Sequence, residues 1–556
     1  MANDLARPID SGDVPSHYMS ESRRQHSSST VSIESSTSDA SESSQSARPL
    51  LRTRISSTIK SSYSNSKPLE LFRRLRLLLP SIPSAPPGTP TTSTPTPTPS
   101  QQSPSRTASY DGLRGIACLI VFNFHFLYPY TKTITHGFAV ERNPDDPIWN
   151  NPHQLPILCL LVRGRAMVTL FFAISGYVLS YNFLDSTLHP TADPTKRWTR
   201  LSSLTFRRWM RLFLPATISM SVVMFASFIG AFDTGREFQK SSEWLTGWWE
   251  QHPPRMETFG AQLQDFAKMW WDWQTPFQWR LYYSLYDPHT WTIPVEFRGS
   301  LVLFVVLLGS AGLKQGWRMG LFGLVTGFCF ASKRWDVAAF MGGALVADLH
   351  LWEGGGKAEV DDDEGVDEKS SLPRWRVQGR VARVFTPRIT KYLLTTIKTM
   401  LFVASLWILS FPDDEAWKAP GFSWLNEITP SPYKTRDLHP YKFWHAFAAS
   451  FVLWSIQRLS YVQGFFCLSV PQYLGKISYA FYLVHGPLLH GAGFALQPKL
   501  FEALGAADST AKWVGCLLLG WVTMLTLSIT VAHLFWMTVD VPLVKFAKWM
   551  ERRLSR

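Results

Sequence analysis

Paired cysteines are missing from this 556-residue chain: Cys118, Cys159, Cys329, Cys467 and Cys516 stand apart, with no C-x-x-C among them. An odd, scattered set argues against a disulfide framework and against a thiolate zinc site, so no metal is expected. Charge is also scarce, at 17% Asp, Glu, Lys and Arg. The first 20 residues hold no continuous apolar core, so no cleavable secretory signal is expected. There is no G-x-S-x-G elbow, H-E-x-x-H or P-loop. No internal repeat of the kind found in many transporters is visible either.

What is present is a polar head joined to an apolar body rich in aromatics, with 24 Trp, 37 Phe and 17 Tyr. Residues 27–47 are Ser-rich and 81–107 are dominated by Pro, Ser and Thr. Such segments bury too little apolar surface to offset their ordering entropy, so residues 1–107 are expected to form a disordered cytosolic head. Within it, Leu69–Leu79 mixes Leu and Phe with Arg73, Arg74 and Arg76. It reads either as a segment lying on an anionic membrane surface or as a basic linker.

From residue 108 the expected fold class is an all-α membrane domain extending to 545, with a basic cytosolic tail at 546–556. About ten apolar segments qualify as transmembrane helices, near 113–131, 166–184, 211–231, 294–312, 319–332, 336–352, 392–411, 442–458, 478–496 and 513–538. The fifth is short enough to be tilted or re-entrant. Net charge is +13, and Lys and Arg concentrate in the head, in 185–210, in 353–391 and in the tail. That distribution places both termini in the cytosol and accounts for the basic total without nucleic acid.

Polar groups inside apolar spans are costly and therefore candidate functional groups. Arg114 precedes His125 by eleven residues on the first span. Eleven helical residues return to within roughly 20° of the starting direction and rise about 16 Å. Arg114 is thus expected near the cytosolic surface and His125 near mid-bilayer on the same face, a geometry suited to a ligand with an anionic head and a long thin arm. A buried histidine bonded to a neighbouring helix is the structural alternative. Arg208 and Arg211 form an R-x-x-R pair able to converge on one phosphate, or else anchor the span by positive charge alone. Glu296 sits at the outer end of the fourth span. Ser478, Tyr482 and His485 recur at helical spacing, with Tyr479 beside them. Trp244, Trp248, Trp249, Trp270, Trp271, Trp273 and Trp279 crowd the predicted outer loop 233–290, either as stacking platforms or as interfacial anchors.

In order along the chain, YDGLRGIACLIVFNFH, LFFAISGYVLS, FRRWMRLFLP, WTIPVEF and KISYAFYLVHGPL together resemble the acyltransferase 3 family of integral-membrane O-acyltransferases. The likeness covers nearly everything after residue 108, and the polar head is similar to that of fungal members, some of which acylate secondary metabolites. It implies transfer of an acyl group, acetyl above all, from acyl-CoA as co-substrate to a hydroxyl, with no permanently bound cofactor. It also implies His125 as general base, Glu296 orienting His125 or the acceptor, and Arg114, Arg208 and Arg211 on the CoA phosphates. Asp111, Ser478, Tyr482 and His485 would then be supporting residues. The expected partners are membrane lipids and a small-molecule acceptor, with a polysaccharide or glycolipid as the alternative. An endoplasmic-reticulum or other endomembrane location is expected. A proton-coupled transporter using the same polar groups is the competing class. Asp540-Val541-Pro542 departs from the family's Glu-x-Pro, so Asp540 receives no catalytic role, and no fused hydrolase-like domain follows the last span. His189-Pro-Thr-Ala-Asp193 fits the H-x-x-x-D pattern of soluble acyl-CoA transferases but lies in a polar, Pro-containing loop and is discounted.

Overall fold

The computed structural model describes residues 107–140, 150–188, 194–241, 244–361, 387–435 and 438–555. The polar head, Leu69–Leu79, the His189–Asp193 pattern and most of the charged 353–391 loop lie outside them. The regular elements among the described residues are helical, with one isolated bridge between Thr435 and Leu438. In chain order the helices are α1 (Ala108–Leu127), α2 (Gly164–Leu188), α3 (Pro194–Phe228), α4 (Asp233–Ser241), α5 (Phe259–Gln274), α6 (Thr292–Ser310), α7 (Gln315–Ala331) and α8 (Trp335–Asp361). They continue as α9 (Pro387–Leu409), α10 (Ser423–Ile428), α11 (Pro440–Ile456), α12 (Ser460–Phe466), α13 (Ser469–Leu488), α14 (Phe494–Leu504), α15 (Thr510–Phe535) and α16 (Val541–Leu554).

A helix occupies each apolar segment named above, but not always with the expected bounds. α3 begins at Pro194, so much of the basic 185–210 segment is helix rather than loop. Proline at a first helical position leaves no needed N–H unpaired, and the residues after it are mostly good helix formers. The short fifth segment is a continuous helix of 17 residues. Segment 233–290 contains α4 and α5. Among the described residues, five stretches are long and apolar enough to cross a membrane by length and composition: Gly164–Leu188, Arg197–Phe228, Pro288–Ser310, Lys391–Leu409 and Thr510–Leu554. α7 and α11 are shorter, while α1 and α13 carry Asp111, Arg114 and His125, and Lys476 and His485. Large apolar side chains point outward along several helices, including Val305, Leu324, Met400 and Val522. A surface of that kind is unfavourable in water and suits lipid.

α1 packs between α2 and α13, and α2 packs in turn on α8. The α1–α13 crossing is close because both helices present glycine there. A Cβ on Gly475 would overlap the Asp111 carbonyl oxygen, and one on Gly115 would overlap the Gly475 backbone. Small residues at such crossings let helix backbones approach in a bilayer, where dispersion and hydrogen bonds rather than water exclusion hold helices together. This contact sets Arg114 and His125 against the polar face of α13. Beyond α1 the chain is held by an outer loop: Gly247 N–H donates to Pro129 O (2.9 Å), Trp248 N–H to Tyr128 O (2.9 Å) and Thr246 Oγ1 to Tyr130 O (2.7 Å).

Gly475→Ala should therefore destabilise the protein by about 1–3 kcal/mol through overpacking. Gly323→Ala, on α7 with open space around its Cβ position, should be neutral or gain up to about 1 kcal/mol from helix propensity. Thermal unfolding of detergent-solubilised protein reads both, and equal stability of Gly475→Ala and the parent would contradict the packing.

Candidate active site

At the N-terminal end of α1, Arg114 is fixed by three partners. Its Nε donates to Ser478 Oγ (3.0 Å), its Nη2 to Gly475 O (3.0 Å), and it stands 3.2 Å from Asp111 Oδ1. Arg208 donates through Nη2 to Glu296 Oε1 (2.7 Å) and through Nε to Ser300 Oγ (2.9 Å). Ser175 Oγ donates to the same Glu296 oxygen (2.9 Å). Arg211 is exposed, and among the described residues no carboxylate lies within ion-pair distance of it. It sits in electrostatic range of Arg208, Arg114 and Asp540. The structure thus gathers Arg114, Arg208 and Arg211 at one end of the bundle, with Asp111, Glu296 and Asp540 around them.

Glu296 lies near the start of α6. Its carboxylate is engaged by Arg208 and Ser175, and no hydrogen bond joins it to His125. His125 stands at the opposite end of α1 from Arg114. Pro129 follows closely, α1 stops at Leu127, and His125 falls in the last turn, with Gly247 and Trp248 bonded to the backbone just beyond it.

Around His125 the structure places groups that pattern reading missed. The His289 ring lies 3.8 Å from the His125 ring, centroid to centroid, and the His485 ring 5.4 Å away. His289 belongs to the 3₁₀ turn Pro288–Trp291, which Asp287 caps by accepting from the His289 N–H at 3.2 Å. Asp287 Oδ1 also stands 3.1 Å from His289 Nδ1. Tyr482 donates its hydroxyl to the His289 carbonyl and shares a 2.6 Å bond with Thr292 Oγ1. On α13, Gly486 leaves room for this arrangement, since a Cβ there would overlap the His289 ring. His490 follows in the π-helical turn Leu489–Gly493, with Nε2 2.9 Å from Glu250 Oε2. Donor atoms of His125, His289 and Glu250 all lie within 4.8 Å of one another. His252, in the outer loop, is driven down to about 3 by burial and by His490 and Arg236, and is neutral at physiological pH.

Chemically, one end of α1 presents guanidinium groups, which suit phosphate, and the other presents imidazoles, which suit proton transfer. Asp287 Oδ1 stands where it would accept from a His289 Nδ1–H, the contact by which a carboxylate fixes the tautomer of a neighbouring histidine. His125 Nδ1 and His485 Nε2 are buried without a hydrogen-bond partner. Ser478, Tyr482 and His485 all join this assembly. A weak signal for His289 existed in Asp287-Pro288-His289, one residue before WTIPVEF. Glu250 carried none, lying alone in a tryptophan-rich loop. The tryptophans themselves divide: Trp273 is fully buried and donates to Thr290 O (3.2 Å), Trp270 donates to Thr217 Oγ1 (2.8 Å), and Trp271 is exposed.

A double-mutant cycle on stability tests the Glu296 assignment. Arg208→Gln with Glu296→Gln should show coupling of about 0.5–3 kcal/mol, while His125→Ala with Glu296→Gln should be additive within about 0.5 kcal/mol. Coupling confined to the His125 pair would reverse the assignment.

The chain matches the acyltransferase-domain family over residues 107–537. It is similar to O-acetyltransferase PaAT-1 of Phomopsis amygdali, with 29% identity over 475 residues, covering 81% of this chain and 85% of the relative. Acyltransferase R4 of a Phoma species is 28% identical over 448 residues, 75% of this chain and 90% of the relative. Acyltransferase clz18 of Cochliobolus lunatus is 28% identical over 426 residues, 71% and 84% of the two chains. No solved structure gives a significant match. With a family match spanning most of its length, the chain belongs to the acyltransferase 3 family of membrane-embedded acyltransferases.

Proposed function

We propose that this protein transfers an acyl group, acetyl in the first instance, from acyl-CoA to a hydroxyl of a small-molecule acceptor. In this reading the domain crosses an endomembrane ten times with both termini in the cytosol. The supporting observation is the polarity of α1. Arg114 stands near one end among Arg208 and Arg211, and His125 stands in the last turn at the other end beside His289 and Asp287. About 16 Å of helix separates Arg114 from His125, a span for the extended arm of CoA between its phosphates and its thioester. The name of the Phomopsis relative, an O-acetyltransferase, favours acetyl and an oxygen acceptor.

In the proposed cycle Arg211 and Arg114 bind the CoA phosphates, with Arg208 held in place by Glu296. His125 accepts the proton of the acceptor hydroxyl as its oxygen attacks the thioester carbonyl. The C–S bond then breaks, and the imidazolium returns the proton to the thiolate, giving an ester and free CoA. His289, with its tautomer set by Asp287, stabilises the charge that develops on His125.

His125→Ala should lower kcat by at least about 10²–10⁴-fold, the usual contribution of a general base, while the variant elutes as the parent does. Arg211→Ala should mainly raise the acyl-CoA KM. Parental turnover by His125→Ala, or an Arg211→Ala effect confined to the acceptor KM, would refute these roles. Labelled acetyl-CoA with the purified protein reads both.

A further inference from the structure

We infer that His125, His289 and Glu250, with His490 beside them, form a binding site for a divalent transition-metal ion of the zinc class, and that an ion held there blocks the use of His125 as a base. The donors come from three separate segments: the end of α1, the outer loop and the 3₁₀ turn before α6. One ligand atom from each of the first three residues lies within 4.8 Å of the other two. His490 extends the set, with Nε2 2.9 Å from Glu250 Oε2.

The chemistry of the donors selects the ion. Neutral imidazole with a single carboxylate is a ligand set for zinc and its neighbours, whereas magnesium and calcium require oxygen. No cysteine of this chain contributes, so a soft monovalent ion is not favoured.

Two further features mark the cluster as more than packed histidines. Asp287 Oδ1 lies 3.1 Å from His289 Nδ1. With Nδ1–H committed to Asp287, the lone pair that His289 offers is on Nε2. This carboxylate–histidine arrangement is the outer-shell support that orients metal-bound imidazoles and raises their basicity. In addition, His125 Nδ1 is buried without a hydrogen-bond partner. Nitrogens in that state are costly unless another species completes them. A cavity of about 10 Å³ borders Asp287, His289 and His490, about the smallest that admits a water.

An ion at this site takes the lone pair that His125 needs to accept a proton. Only this inhibitory half rests on the proposed transfer reaction; binding of the ion does not.

The test uses the full chain, purified in detergent and stripped with EDTA, then titrated with zinc chloride against a chromophoric chelator. The expected result is one equivalent of zinc bound, undisturbed by millimolar magnesium. Glu250→Gln and His289→Gln should each remove or strongly weaken binding, and Asp287→Asn should weaken it roughly 10–100-fold. Each variant is scored only if it elutes and melts as the parent does; Glu250→Gln, nearly isosteric, guards against loss of fold. Absence of stoichiometric binding, or unchanged affinity in Glu250→Gln and His289→Gln, overturns the site. In parallel, zinc should abolish acetyl transfer by the parent and EDTA should restore it. Full activity with the ion bound overturns the inhibitory half. Stoichiometric, variant-sensitive binding by a protein with no transfer activity under any metal condition would refute the proposed reaction and leave the metal site standing.

Discussion

The structure depends on the close crossing of α1 and α13. A guanidinium and an imidazole separated by eleven residues share a face of α1, but each would be costly without polar partners on the neighbouring helix. The glycine contact brings those partners within reach. Ser478 and the Gly475 carbonyl receive Arg114. His485 lies one ring away from His125, and Gly486 admits His289. A side chain at the crossing would separate the two polar ends from their support together.

Polar groups in this domain are handled differently at the two ends. At the arginine end they are paired: Arg114 with Asp111, Arg208 with Glu296, and Arg207 with Glu551 at 3.0 Å. Arg211 stays exposed beside them. At the histidine end His125 Nδ1 and His485 Nε2 lack hydrogen-bond partners, while Asp287 stands beside His289 and Glu250 beside His490. Satisfied groups fix a fold, whereas unsatisfied ones in a buried cluster are disposed to receive a substrate, a proton or an ion. That contrast separates the scaffold from the chemistry more clearly than burial alone.

Much of this was legible in the sequence because helical periodicity is local. The eleven-residue spacing of Arg114 and His125, the R-x-x-R of Arg208 and Arg211, and the stripe of Ser478, Tyr482 and His485 are properties of single helices. Each occupies the expected kind of element. What escaped depends on chain reversals. Asp287 and His289 act together through a capped 3₁₀ turn, Glu250 reaches His490 from a loop without regular structure, and Glu296 meets Arg208 across 88 residues. Periodicity also gave no sign that α1 ends at Leu127, with His125 in its last turn.

The central claim is that one helix aligns a phosphate-binding end with an acid–base end. A cryo-electron microscopy structure with a non-transferable acetyl-CoA analogue tests it most directly. The account predicts phosphate density against Arg114 and Arg211, with the carbonyl of the analogue beside His125 and His289. Phosphates bound away from those arginines, or a carbonyl out of contact with either histidine, would contradict it.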